Sequence, residues 1–309
     1  MNVNALIRRG KRFLCDRDYR FAALAARGWY DSMRDEEYLK RQFQAEMGKP
    51  LDLEHPQTYN EKLQWLKLHN HDPRYTVLVD KYRVRDVIAK ELGEEYLIPL
   101  LGVWEDPEEI DFDALPQQFV LKCNHNSGVG MCICTDKTSL DIPQVKAELR
   151  KGLAQDYYLT GREWPYKDVP RKIIAEQYIE DSNGELNDYK FFCFDGYVDN
   201  VMVVADRTTG DPHFYHFDRN WRLCQYNRLC RSLPKDYTIP KPDTMDQMFE
   251  LAAKLSKGMP HVRMDFYSVD GHIYFGEYTF FNQSGYETGF DDYSDSHLGS
   301  LIQFPVINQ

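Results

Sequence analysis

Residues 261–269 and 272–280 are two runs with alternating side-chain character, and Asp270-Gly271 stands between them. An Asp-Gly pair in that position favours a two-residue turn with both residues at positive φ, which closes an antiparallel hairpin. This part of the chain must therefore be antiparallel sheet. The hairpin also places chemistry. Successive residues alternate faces, so Arg263 and Asp265 share one face. Folding back at the turn brings Glu277 nearly opposite Asp265. Two carboxylates across a strand pair repel each other unless a cation lies between them. Mg²⁺, which takes oxygen ligands and is usually shared with phosphates, fits such a pair. Two solvated carboxylates are the plainer reading.

A second hairpin precedes it. Residues 118–122 read as a strand that ends at Lys122 and runs into Asn124-His-Asn-Ser-Gly-Val-Gly-Met131, after which residues 130–134 resume as a strand. An ammonium at a strand end, beside glycines that let backbone N–H groups approach closely, suits an anionic ligand. The Walker pattern is absent, and a Gly-turn hairpin with a surface lysine would show the same letters. Elsewhere Thr58-Tyr-Asn-Glu61 forms a capping box that opens a helix. Helices are predicted over residues 80–92, 142–153 and 245–256. Strands are predicted near 96–101 and over 172–179, followed by a turn at Asp181-Ser-Asn-Gly184. An antiparallel meander is predicted over 189–194, 197–205, 212–217 and 221–225. This mixed order specifies an α+β fold, not a regular βαβ sheet. The divisions expected are residues 1–40, 41–113, 114–180 and 181–309, with the acidic stretch 105–113 as a linker.

The chain has 309 residues and a net charge of −11. An acidic balance argues against a nucleic-acid partner, which needs a basic face. No apolar stretch approaches the roughly 20 residues of a membrane span, and the start lacks a secretory apolar core. Seven scattered cysteines fit a reducing compartment, and Cys132-Ile-Cys134 reads as two small buried hydrophobes. A cytoplasmic location follows. The first forty residues are helical and basic, with Arg8, Arg9, Lys11 and Arg12. They suit packing on the body or peripheral contact with the inner face of an anionic membrane. His213 and His216, near Asp218, read as surface histidines before a metal site. The aromatics of Arg162-Glu-Trp-Pro-Tyr166 suit a packed loop or a sugar-stacking surface equally.

Together these features resemble the ATP-grasp superfamily: a lysine strand, a Gly-rich loop, a helix, a strand ending in a Glu-containing hinge, an antiparallel meander and an acidic hairpin. Seven strings in order resemble the TupA-like ATP-grasp family of bacterial surface-polysaccharide gene clusters. They are Tyr59-Asn-Glu-Lys-Leu-Gln-Trp-Leu66, Asp80-Lys-Tyr-Arg-Val-Arg85, Val120-Leu-Lys-Cys-Asn-His125, Arg162-Glu-Trp-Pro-Tyr166, Asp188-Tyr-Lys-Phe191, Val262-Arg-Met-Asp-Phe-Tyr267 and Phe275-Gly-Glu-Tyr-Thr-Phe280. The resemblance implies two α+β lobes enclosing ATP, preceded by a mostly helical region. It assigns Lys122 and Lys190 to the phosphates, and Ser127, Gly128 and Gly130 to the loop that closes over them. The backbone of Gln177 and Ile179 would meet adenine, with Glu176 near its amino group. Asp265 and Glu277 match Mg²⁺ ligands. Thr279 stands where superfamily members usually carry Asn, and Asn282 lies close behind as a substitute. Arg263 matches an arginine that holds the transferred phosphate.

The activity this implies is an ADP-forming carboxylate–amine ligase acting through an acyl-phosphate. A sugar carboxylate such as a hexuronic acid and an amino acid are the expected partners. Lys81 or Arg85, with Arg263, is expected to line the acceptor pocket, unless both pair with surface acids such as Glu91 or Asp80. A kinase on the same fold, a glycosyltransferase and a non-catalytic polysaccharide-assembly protein are the rivals.

Overall fold

The structure, a computed structural model, describes residues 11–182, 186–206 and 210–305. The chain divides into two compact units, one of Met1–His71, Tyr158–Trp164 and Phe281–Gln309, the other of Asp72–Tyr157 and Pro165–Phe280. These boundaries differ from those expected. The cut at residue 40 falls inside a helix, Asp35–Met47. The acidic stretch 105–113 is no linker, because the strand before it, β1 (Leu100–Trp104), pairs with β4 (Ile173–Gln177) some seventy residues later. Local composition cannot reveal so distant a pairing.

The larger unit holds two antiparallel sheets. The first has the order β1-β4-β2-β3, with β2 at Phe119–Cys123 and β3 at Met131–Cys134. The helix Ile142–Ala154 covers it, setting Val145 and Leu149 among Phe119, Leu121, Ile173 and Ala175. Cys134 is buried in the same core, whereas Cys132 is only half-buried and packs against it, and all seven cysteines are free. The second sheet has the order β7-β6-β5-β8-β9. Its strands are β5 (Asp188–Phe194), β6 (Tyr197–Ala205), β7 (His213–Phe217), β8 (Val262–Val269) and β9 (His272–Thr279). The helix Met245–Leu255 packs Phe249 edge-on against Phe191 of β5, ring centroids 5.0 Å apart.

Three expectations shift. The helix over 80–92 begins only at Val84, because the Asp80 carboxylate accepts from the N–H groups of Tyr82 and Arg83 and holds them in a turn. Residues 221–225 form no strand and contribute one bridge, Phe217 to Leu223; Trp221 sits at φ +60°. The turn over 181–184 lies partly outside the described residues. His216 is not at the surface. It is buried, its Nδ1 bonded to Asn200 Oδ1 at 2.8 Å, and among the described residues no cluster of three or more metal-ligating side chains forms around it or elsewhere.

Burial pushes the imidazoles of His216 and His261 down to about 3. Each is neutral in the fold and takes up a proton on unfolding below about pH 6.5. A folded value below the unfolded one means that this stability is full above about pH 6.5 and is lost as pH falls toward about 3, with a slope of about 1.4 kcal/mol per pH unit for each histidine. Denaturant unfolding is expected to show the loss between pH 6.5 and 5, before most carboxylates titrate. The His216→Gln protein should show a shallower slope, and a flat profile in the native protein would refute the assignment.

In the smaller unit Phe21, Tyr38, Leu39, Phe43 and Leu51 form the core. The capping box at Thr58 opens the helix Tyr59–His69 with both reciprocal bonds present. Arg162, at φ +55°, is buried, donates to Tyr30 O at 2.8 Å and lies over the Tyr38 ring. The 162–164 stretch is therefore a packed loop in this unit. Lys67 is buried and bonds Gln64 Oε1, Gly161 O and Ser284 O at 3.0, 2.6 and 2.8 Å.

Candidate functional site

In the larger unit a cleft of about 370 Å³ is lined by both sheets and by the loop after β2. Its floor is a row of charges across three neighbouring strands. Lys190 on β5 pairs in register with Asp265 on β8, which pairs with Glu277 on β9. The next row carries Arg263 opposite Thr279. The turn is the one expected, with Val269 opposite His272 and Asp270 and Gly271 at φ +49° and +81°.

A straight continuation from that turn would set Asp265 opposite Gly276 and aim Glu277 at the other face. A bulge between Asp265 and Phe266 prevents this, leaving Gly276 as the extra residue. A Cβ on Gly276 would lie 2.9 Å from Asp265 O. The glycine thus lets β9 fold close against β8 and turns Glu277 into the cleft.

The carboxylates are held by cations. Arg263 clamps Asp265 with Nε and Nη2, both at 2.7 Å, and its Nη2 reaches Glu277 Oε1 at 3.2 Å and Thr279 Oγ1 at 3.0 Å. Lys190 Nζ lies 2.5 Å from Asp265 Oδ2 and 3.6 Å from Asp188 Oδ2. Burial would raise the carboxyl of Glu277, but Lys81, Arg263, Lys190 and Lys122 outweigh it and hold the group at about 2. It is therefore an anion throughout the working range.

Across the cleft Lys122 Nζ meets Glu176 Oε2 at 2.6 Å, and Arg85 meets the other oxygen at 3.2 Å. Lys81 donates to Asn126 O at 2.6 Å and lies 4.0 Å from Glu277 Oε2. The Gly-containing loop is anchored at its start. Asn124 bonds Asp80 and Pro170 O, and Asn126 bonds Gly152 O and Gln155. The exposed Ser127 and Gly128 form its tip, with Gly128 at φ +78° and open space where a Cβ would stand.

Most of the residues expected at the nucleotide and metal sites converge here: Lys122, Ser127, Gly128, Glu176, Lys190, Asp265 and Glu277. Arg263 and Lys81 line the same cleft. Gly130 does not. It is buried, and a Cβ there would lie 2.7 Å from Gly152 Cα, so it seats the loop on the covering helix. Arg85 is neither a surface residue nor part of the lining; it is committed to Glu176 and to Ile98 O at 2.8 Å. Gln177 and Ile179, beyond Glu176 in the chain, are not part of the lining, and the Gln177 N–H is already used by Pro99 O at 3.0 Å. Asn282 belongs to the other unit, is buried, and donates to Glu287 at 3.3 Å.

Sequence reading missed Asp188, the Asn124–Asn126 anchors, Gly152 and the bulge. Only Gly276, directly before Glu277, carried a visible signal. As to a metal, the Asp265 and Glu277 carboxylates and the Thr279 hydroxyl present only oxygen donors to one face, and that donor set fits Mg²⁺.

The family model for TupA-like ATPgrasp proteins matches residues 61–303, and the chain belongs to that family. The fold class is accordingly ATP-grasp. Among solved structures, the D-alanine–D-alanine ligase from Bacillus anthracis complexed with ATP is 16% identical with a TM-score of 0.42, the match covering 73% of this chain and 63% of that one. D-cycloserine synthetase DcsG is 16% identical, TM-score 0.40, over 74% and 69% of the two chains. The ATP-grasp ligase PsnB with its minimal precursor is 15% identical, TM-score 0.40, over 90% and 70%. This chain thus spans less than two thirds of the length of the first of these. No curated protein matches it. Among the described residues no helix is long and apolar enough to cross a membrane.

Proposed function

We propose that the protein is an ATP-dependent ligase that joins a carboxylate to an amine and releases ADP and phosphate. The row Lys190–Asp265–Glu277 supports this reading, with Arg263 beside it and Lys122 and the Gly-containing loop across the same cleft. A carboxylate is a poor acyl donor because oxide leaves badly. Phosphorylation by ATP makes an acyl-phosphate, from which an amine displaces phosphate. The protein's task is to position the groups and neutralise charge. Lys122 and Lys190 hold phosphate oxygens, and Glu176, pinned by Arg85, keeps Lys122 extended toward them. Arg263 meets the transferred phosphate as charge develops on it. Mg²⁺ held by Asp265 and Glu277, with Thr279, supplies neutralisation of the phosphates when bound. Ser127 and Gly128, at the loop tip, close over the nucleotide and keep water from the intermediate. Lys81 serves the acceptor carboxylate; Arg85, committed to Glu176, serves the nucleotide side.

The substrate pair follows from family context: a hexuronic-acid-type sugar carboxylate and an amino acid, in surface-polysaccharide assembly. ADP and phosphate release measured over a panel of uronosides and amino acids tests it. Release is expected only with one carboxylate and one amine together. ADP formed from a sugar lacking a carboxylate, with the phosphoryl group retained on the product and no phosphate released, would favour a kinase instead.

A further inference from the structure

The smaller unit carries a second charged concavity, which the ligase reading does not use. It has a volume of about 380 Å³ and is lined by Arg17, Arg20, Lys40 and Arg41, with Asp18 as the one acid. Tyr30, stacked on Phe21 at 4.7 Å, forms its aromatic wall. Cations crowd the lining itself, although the helix Asp35–Met47 that supplies Lys40 and Arg41 also carries Asp35, Glu36, Glu37 and Glu46. Residues 11–27 hold five Lys or Arg against two Asp, in a chain of net charge −11. Arg17, Lys40 and Arg41 are exposed. The pairs Lys40–Glu36 and Arg41–Glu37, both at 2.7 Å, are solvent-exposed helix pairs, worth little and readily exchanged for another anion. Arg20 is fixed by Phe13 O and Leu14 O at 3.3 and 3.0 Å.

Large apolar groups are exposed in and just after this stretch. Leu14 is 75% exposed and Trp29 71%. Trp, with an apolar ring and one polar N–H, favours the membrane–water interface. Leu14 accepts from Arg20 through its carbonyl, and Trp29 precedes Tyr30 of the wall, so cations and exposed apolar groups share this part of the chain, as on a surface that lies on anionic lipid. A phosphate ligand free in water gives no reason for the apolar pair.

We propose that this face docks the protein reversibly on an anionic phospholipid bilayer. Lipid phosphates occupy the concavity of Arg17, Arg20, Lys40 and Arg41, and Leu14 and Trp29 enter the interface. The inference is independent of the ligase reading, because binding is measured without nucleotide.

The test is flotation of the full chain with phosphatidylcholine vesicles, with vesicles containing about one third phosphatidylglycerol, and with the latter in added salt. Binding is expected only with the anionic vesicles and is expected to weaken in salt. Removing three charges in Arg17→Gln/Lys40→Gln/Arg41→Gln should lower the partition coefficient about a hundredfold, at roughly fivefold per charge. Circular dichroism and the unfolding midpoint show that the variant is folded. The indole emission should shift to the blue on the anionic vesicles, and Trp29→Phe should abolish the shift. No enrichment on anionic vesicles overturns the proposal, as does equal binding by the folded triple variant. Calorimetric binding of inorganic pyrophosphate that the triple variant loses, without vesicle binding, would assign the concavity to a free phosphate ligand and also overturn it.

Discussion

Gly276→Ala is expected to weaken Mg-ATP binding at least tenfold and to lower turnover about a hundredfold while the chain stays folded. Strand register decides the outcome. The added Cβ would meet Asp265 O at 2.9 Å and Asp265 C at 3.2 Å, both backbone atoms that cannot swing aside. Relief requires β9 to move away from β8 or the bulge to slip. Slippage by one residue would carry Glu277 to the opposite face, leaving Asp265 alone with Arg263 and Lys190. Displacement of about 1 Å at such a site costs around a hundredfold in rate. The fold tolerates it because the rest of the hairpin, from the turn to Phe266 opposite Phe275, pairs without the bulge. Calorimetric Mg-ATP titration checks this, and native affinity in the folded variant would show that the bulge does not aim Glu277.

Lys122→Ala carries the second large effect. In the structure Lys122 and Arg85 share the Glu176 carboxylate. Removing Lys122 leaves Glu176 neutralised by Arg85, so no buried charge is orphaned and stability should change by about 1 kcal/mol or less. The phosphates lose a cation on their side of the cleft. Mg-ATP affinity should fall at least tenfold and turnover should vanish. Unchanged affinity in the folded variant would remove Lys122 from the nucleotide site. The contrast with Arg85→Ala is informative. Arg85 reaches Ile98 O as well as Glu176, so its loss should raise the KM for ATP with little change in that for the acceptor.

What the sequence made legible was local. Asp270-Gly271 announced the turn, alternation put Arg263 and Asp265 on one face, and Thr58 with Glu61 announced a cap; the structure holds each of these. What it hid was either a one-residue irregularity or a distant pairing. The expectation that Asp265 and Glu277 face each other holds only because of the bulge, which simple alternation does not contain. The pairing of β1 with β4 and the commitment of Arg85 to Glu176 join residues separated by about seventy and ninety positions. His216 read as a surface residue because its partner, Asn200, lies on the neighbouring strand, where alternation on one strand cannot show it. Gly130 read as a phosphate contact because a glycine in a loop looks the same whether it faces a ligand or a helix; Gly152 decides which.

The central claim is that ATP activates a carboxylate. The most direct measurement uses an acceptor labelled with ¹⁸O in its carboxylate, together with its amine and Mg-ATP, and follows the label by mass spectrometry of the phosphate released. Acyl-phosphate formation transfers one carboxylate oxygen to the phosphate. The account predicts one labelled phosphate for each amide formed, with ADP in equal amount. Unlabelled phosphate, or ADP formed with the phosphoryl group retained on the product, would contradict it.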